Sequence, residues 1–165
     1  MSLKNGFTKC NQLLSKHSDE INEKKEPNST NPYKIAADEG GVNSMLSYAT
    51  ICEKGNGVEV NLSETAKYYK MAGGHGHEVG MFNYAVMLIQ GQGVAVDKKE
   101  ACRYLKMSAD KGLINGMINY AQMRFNGDEI EQDKEEAAKY YKMAADKGDV
   151  KCMFHIATIS CLQLK

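Results

Sequence analysis

The chain has 165 residues, a hydrophobic fraction of 42%, and a formal net charge of zero from 21 basic and 21 acidic side chains. This size and composition fit one globular domain or a short series of repeats. Because the charges balance, the chain has no overall field that would attract nucleic acid or an anionic membrane surface, and no apolar run reaches the roughly 20 residues that a spanning helix needs. The sequence therefore predicts neither a nucleic-acid partner nor membrane insertion.

The cysteine content predicts a reducing compartment. Five cysteines occur, an odd number, and no two are spaced as Cys-x-x-Cys. Such a set is typical of free thiols rather than of a disulfide framework. The first residues, Met1–Gly6, lack the apolar core of a signal peptide. Together these features predict a cytoplasmic location.

The N-terminal 30 residues differ from the rest of the chain. Residues 1–30 are predicted to form a polar N-terminal segment or a capping helix, since apolar side chains recur at near-helical spacing between residues 7 and 21. A frayed tail fits this segment equally well. Asn31 and Pro32 then carry the signals of a helix start, an N-cap followed by proline at the first helical position, and that helix ends at Gly40.

From Gly40 onward the sequence repeats itself every 36 residues. The register is carried by glycines, methionines and alanines that recur at this step: Gly40, Gly76, Gly112 and Gly148; Met45, Met81, Met117 and Met153; Ala49, Ala85, Ala121 and Ala157. A period of this length indicates stacked pairs of helices, because one pair cannot bury its own apolar face. The predicted repeat domain covers residues 31–165, with repeats at about 41–76, 77–112 and 113–148 and a partial repeat at 149–165.

Each repeat contains two predicted helices. The first, helix A, shows apolar residues at steps of three and four and ends at a glycine pair such as Gly91 and Gly93. The second, helix B, begins after an N-cap such as Asp97 and carries charged pairs three residues apart, such as Glu100 with Arg103. Helix A is predicted at 42–54, 78–90, 114–126 and 150–162, and helix B at 62–73, 97–109 and 134–146.

Two motifs recur in register. After helix A the chain reads Gly55-Asn56-Gly57-Val58 and Gly91-Gln92-Gly93-Val94, and helix B reads Ala-Ala-Lys-Tyr-Tyr-Lys-Met-Ala-Ala-Asp-Lys-Gly at 137–148. These residues resemble the Sel-one-like repeat (SLR) family, which is related to the tetratricopeptide repeat. The resemblance implies an all-α fold, a right-handed α-solenoid superhelix of 36-residue helix-turn-helix repeats. It also implies a chain that binds other proteins.

In solenoids of this family helix A lines the concave face. By that resemblance the candidate protein-binding residues are Thr50, Val79, Phe82, Val86, Ile89, Gln90, Ile118, Gln122, Phe125 and Asn126. This surface mixes apolar anchors with side-chain amides, which suits an extended peptide or a partner helix. The alternative for the row that contains Phe82 and Ile118 is that these side chains pack between helices.

The remaining polar side chains and the cysteines are assigned to salt bridges, turns or packing. No catalytic, metal-binding or cofactor-binding residue is therefore predicted. The lysines of helix B lie one turn from Glu64, Glu100 and Glu136, which indicates a solvated, salt-bridged face. His75 and His77 occupy an ordinary turn between repeats rather than a metal site. Cysteines such as Cys152 stand at positions where other repeats place small residues, which favours packing over catalysis.

The sequence thus predicts a non-catalytic interaction module or adaptor. One alternative is a fragment or regulatory arm of a larger signalling or degradation-adaptor protein, because the chain stops within a repeat at Lys165. A remote alternative is a relative of the cysteine-rich repeat proteins that bind or hydrolyse β-lactams, although the chain lacks their cysteine pattern. The partial fourth repeat also predicts self-association through an uncovered apolar flank, Met153, Ile156, Ile159 and Leu162.

Overall fold

The computed structural model describes residues 31–127 and 129–163, with side chains described through residue 161. This part of the chain is helical throughout and contains no strand. The helices are α1 (Pro32–Asp38), α2 (Val42–Lys54), α3 (Leu62–Gly74), α4 (Glu78–Gln90), α5 (Lys98–Asp110), α6 (Ile114–Asn126), α7 (Lys134–Asp146) and α8 (Lys151–Gln163). The predicted N-terminal segment, residues 1–30, and the side chain of Leu162 lie outside the described residues.

The helices form three complete A–B pairs, α2 with α3, α4 with α5 and α6 with α7. α1 corresponds to the end of a helix B, and α8 to a helix A. Each helix contacts mainly the helices before and after it in the chain, and α4 also contacts α6. The predicted all-α solenoid is therefore confirmed, and the predicted helices agree with the observed ones to within a residue at each end.

Local signals explain where the helices begin and end. Helices α3, α5 and α7 each start after an N-cap, Asn61, Asp97 or Asp133, whose side chain accepts a hydrogen bond from the backbone N–H three residues further on. Helices α2, α4 and α6 each end at a glycine with a positive φ, 71° at Gly55 and 68° at Gly91. A left-handed residue at this position stops the helix and turns the chain towards its partner.

Tyrosines hold each helix A against its own helix B. The ring of Tyr48 meets that of Tyr68 edge-on, with 4.8 Å between centroids. The same T-shaped pair recurs between Tyr84 and Tyr104 at 4.9 Å, and again in the third repeat at 4.7 Å. Since such pairs add to the stabilisation from burial, the repeated tyrosines define the core of each pair.

Small residues join one repeat to the next. A Cβ atom on Gly80 would lie 2.8 Å from the Cβ of Ala72, and one on Gly116 would lie 2.6 Å from the Ser108 Oγ. The two backbones therefore approach more closely at these joints than a larger side chain permits. Cys152 occupies the corresponding position in α8 and is buried, as predicted for a packing cysteine.

Candidate protein-binding surface

A cavity of 190 Å³ lies where α6 meets the C-terminal end of α4 and the start of α5. Most of its lining comes from helix A of two successive repeats: Ile89, Lys98, Asn119, Gln122, Met123 and Asn126. The cavity exists because α4 and α6 touch only lightly, while the adjoining helices of the chain pack closely. We call it the first cavity.

The first cavity combines an apolar floor with side-chain amides. Ile89 and Met123 supply the apolar surface, whereas Asn119, Gln122 and Asn126 fall on one face of α6 at helical spacing. The Asn119 amide donates to the backbone oxygen of Asn115 at 2.9 Å, which orients that side chain. A carboxamide both donates and accepts hydrogen bonds, so this row can pair with a peptide backbone.

A second cavity occupies the same place one repeat later. It is smaller, 40 Å³, and is lined by Phe125, Tyr141, His155, Thr158 and Ile159. Four of these residues lie 36 positions after residues of the first cavity, with phenylalanine in place of Ile89 and histidine in place of Asn119. The His155 ring stacks on Tyr141, with 4.7 Å between centroids and 11° between planes. The cavity therefore recurs in the next repeat with different side chains lining it.

In the first repeat the equivalent region is polar. Tyr69 donates its hydroxyl hydrogen to Glu53 at 3.1 Å and lies 3.3 Å from the Thr50 hydroxyl. Burial raises the pKa of Tyr69, which keeps the hydroxyl protonated as a donor. Glu53, Ile89 and Phe125 share one repeat position and change along the solenoid from acidic to aliphatic to aromatic. We call the two cavities, together with the row Glu53, Ile89 and Phe125, the helix-A groove.

The predicted binding residues divide into two groups. Ile89, Gln122 and Asn126 line the first cavity, Phe125 lines the second, and Thr50 contacts Tyr69. The others do not line either cavity: Gln90 is exposed, Val79 and Val86 are half-buried, and Phe82 and Ile118 pack against the core. Phe82 and Ile118 are half-buried and packed against the core, as Ile89 and Phe125 also are, so binding by the row that contains Phe82 and Ile118 stays a prediction.

Several residues that line the cavities were not predicted from the sequence, above all Asn119, Met123 and His155. A signal for them exists in the repeat register, because Asn83, Asn119 and His155 are polar residues at one position of successive helices A. Apolar periodicity selects the buried stripe of a helix and passes over the polar residues beside it.

The apolar flank of α8 is partly covered. Met153 is 58% exposed and Ile156 is half-buried. Ile159, which was expected on the open flank, is only 2% exposed and belongs to the core. The reason is its repeat position, which matches that of Met87, a buried residue that also faces the interior.

The charged residues of helix B pair across repeats. Glu136 in α7 lies 3.2 Å from the Lys106 Nζ of α5 and 2.9 Å from the Arg124 Nε of α6. The spacing of three residues that pairs Glu100 with Arg103 would also pair Glu136 with Lys139. The Glu100–Arg103 pair forms at 2.6 Å, whereas Glu136 pairs with the tertiary partners instead. Burial would raise the pKa of Glu136, but hydrogen bonds from Tyr120 and Lys106 outweigh it and hold the pKa below its ordinary value.

The described part of the chain contains neither a cluster of metal-ligating side chains nor a helix that could span a membrane. The Nδ1 of His77 lies 4.0 Å from a Glu78 carboxylate oxygen, and no three His, Cys, Asp or Glu side chains of residues 31–127 and 129–163 are grouped as metal ligands would be. None of the helices in these ranges combines the length and apolar character required to cross a bilayer.

Three stretches of the chain, residues 42–77, 79–113 and 114–149, match the family model described as Sel1 repeat, and together they cover more than half of the sequence. This chain belongs to the Sel1 repeat family. Sel1 repeats are the Sel-one-like repeats that the sequence resembles, and they generally mediate protein–protein interaction.

Solved structures support the same assignment. The chain resembles c5321, a protective antigen present in uropathogenic Escherichia coli strains that displays an SLR fold, with a TM-score of 0.69 and 28% identity over 73% of this chain and 26% of that one. It also shares the fold of a Sel1 repeat protein from Oxalobacter formigenes, with a TM-score of 0.67 and 22% identity over 70% of this chain and 47% of that one. The chain thus spans less than half the length of either protein. A search of the curated proteins returned no match.

Proposed function

We propose that this Sel1 repeat chain is a non-catalytic interaction module, an adaptor that binds an extended peptide segment of a partner protein in the helix-A groove. The observation that carries the proposal is the first cavity, where the amides of Asn119, Gln122 and Asn126 border the apolar surface of Ile89 and Met123. An apolar recess edged by a few polar groups is the usual form of a binding site.

The amide row favours an extended segment over a helix. The backbone N–H and C=O groups of a bound helix are already paired within it, so they offer little to Asn119, Gln122 or Asn126. An extended segment leaves those groups free to pair with carboxamides, while alternate side chains enter the recesses. The first cavity then accepts an aliphatic side chain, and the second, with its Tyr141–His155 stack, accepts a smaller or planar group.

The experiment selects binders from a random peptide library and measures their affinity for point variants. Gln122→Ala and Asn126→Ala are expected to weaken binding by about fivefold each, as for the loss of one hydrogen bond, with little change in melting temperature because both side chains are exposed. Gln92→Ala is the matched control, since it removes an exposed carboxamide from a loop outside the groove. Loss of binding only on Lys142→Glu, on helix B, would place the site on the opposite face.

A further inference from the structure

The described part of the chain begins and ends within a repeat. α1 is the end of a helix B, and no helix A precedes it within the described residues. α8 is a helix A, and no helix B follows it there. Each end therefore presents a surface that, in the three complete repeats, contacts the other type of helix.

The methionine of helix A shows what α8 lacks. Met45, Met81 and Met117 are 1%, 3% and 1% exposed, whereas Met153, at the same repeat position, is 58% exposed. α8 packs on a preceding helix B, α7, as the other helices A pack on theirs. What differs, within the described residues, is that no helix B of its own repeat packs on α8.

Tyr33 of α1 is exposed at a position that is buried in the other helices B. Residues 69, 105 and 141 are 4%, 0% and 2% exposed, whereas Tyr33, at the same position, is 49% exposed. α1 packs on the following helix A, α2, as every helix B does. In the first complete repeat this position contacts Thr50 and Glu53 of its own helix A, a helix that has no counterpart before α1 within the described residues.

We propose that two copies of this chain associate head to tail, with α8 of one copy and α1 of the next forming the A and B helices of a repeat. The residues at the two ends match a pair that already exists within the chain. Thr158 stands at the position of Thr50 and Tyr33 at that of Tyr69, so the Thr50–Tyr69 contact of 3.3 Å would recur between copies. Such a contact joins two different surfaces, so it leaves a free end on each assembly and allows further copies to add.

Sedimentation of the full chain over a range of concentrations tests this arrangement. The wild type is expected to form a concentration-dependent series that continues past the dimer. Met153→Glu and Tyr33→Glu are each expected to weaken association by at least about tenfold, because each places a charge in the new contact. Val60→Glu is the matched control, since Val60 is also 58% exposed but lies in the loop after α2; circular dichroism verifies that every variant is folded.

Mixing the two variants distinguishes this arrangement from a symmetric one. Met153→Glu keeps an intact α1 and Tyr33→Glu an intact α8, so an equal mixture is expected to form dimers that do not grow, whereas each variant alone remains largely monomeric. A wild type that is monomeric at every concentration would overturn the proposal. So would a wild type that stops at the dimer and responds to Met153→Glu but not to Tyr33→Glu, because that result indicates α8 against α8.

Discussion

Successive helices B are joined by a hydrogen bond from tyrosine to aspartate in two places along the solenoid, but Gly74 replaces the aspartate in a third. Tyr68 donates its hydroxyl hydrogen to Asp38 at 2.5 Å, and Tyr140 donates to Asp110 at 2.6 Å. Tyr104 has the same place in its repeat, but the position of the aspartate is taken by Gly74. Gly74 is exposed, and a Cβ atom there would meet nothing within 4 Å.

We therefore expect Gly74→Asp to stabilise the protein by about 1–2 kcal/mol, through a new hydrogen bond from Tyr104 and the loss of a flexible helix residue. Urea unfolding measures the change. Gly74→Ala is the control that isolates helix propensity, and the gain of aspartate over alanine should vanish when Tyr104 is changed to phenylalanine. An aspartate that is no better than alanine in the wild-type background would contradict the explanation.

Residue-level pairing was the part of the site that the sequence predicted least well. Spacing along a helix correctly paired Glu100 with Arg103, but it gave Glu136 the wrong partner, because Lys106 and Arg124 approach from other helices. The cavities were not predicted for a similar reason. They form between helices A that are 36 residues apart, so their lining depends on how far successive repeats separate rather than on the pattern of either helix.

At the scale of the helix, the sequence predicted the structure almost completely. The boundaries follow from caps and glycines that act within one turn, and the repeats present these signals several times in the same order. Besides their apolar packing, helices α5, α6 and α7 are joined by charges, since Glu136 of α7 pairs with Lys106 of α5 and Arg124 of α6. That link makes the third repeat sensitive to pH.

The lowered pKa of Glu136 fixes the direction of this sensitivity. A carboxyl group whose pKa is lower in the folded state stabilises the protein above its unfolded value of about 4.3, and the contribution disappears as the pH falls through the folded value. Glu136→Gln is thus expected to be less stable than the wild type at pH 7, and the difference in stability is expected to shrink as the pH falls below about 4.3. Urea midpoints at several pH values measure the gap, with the exposed loop variant Glu59→Gln as control. A difference in stability that does not shrink as the pH is lowered below about 4.3 would rule out this role for the carboxylate.

For the molecule as a whole, the cysteines report on different parts of the solenoid. Cys52 in α2 and Cys152 in α8 are buried, whereas Cys161 near the end of α8 is exposed. Burial raises the pKa of the Cys152 thiol to about 11 and also raises that of Cys52. In a solenoid each helix is held only by its neighbours, so the last helix opens more readily than the interior.

Alkylation of the native protein with iodoacetamide at pH 8, followed by mass spectrometry, should label Cys161 before the other cysteines of the described residues. Cys152 should react at least about a hundredfold more slowly, because little of its thiol is ionised, and Cys52 should react last. Unfolding without reductant should expose five free thiols, one of which, Cys10, lies outside the described residues. Equal rates at Cys152 and Cys161 would show that α8 does not hold its packed position.

The turns between repeats are much shorter than the loops within them. Three residues connect α3 to α4 and α5 to α6, and each turn leads directly to a glycine, Gly80 or Gly116, that fits against the preceding helix. One inserted residue would rotate the next helix by about 100° relative to that contact and replace the glycine with a larger side chain. The length of the domain can therefore change readily only in steps of 36 residues, so gain or loss of whole repeats, rather than single-residue insertion or deletion at these turns, is the route by which the groove can be lengthened or shortened.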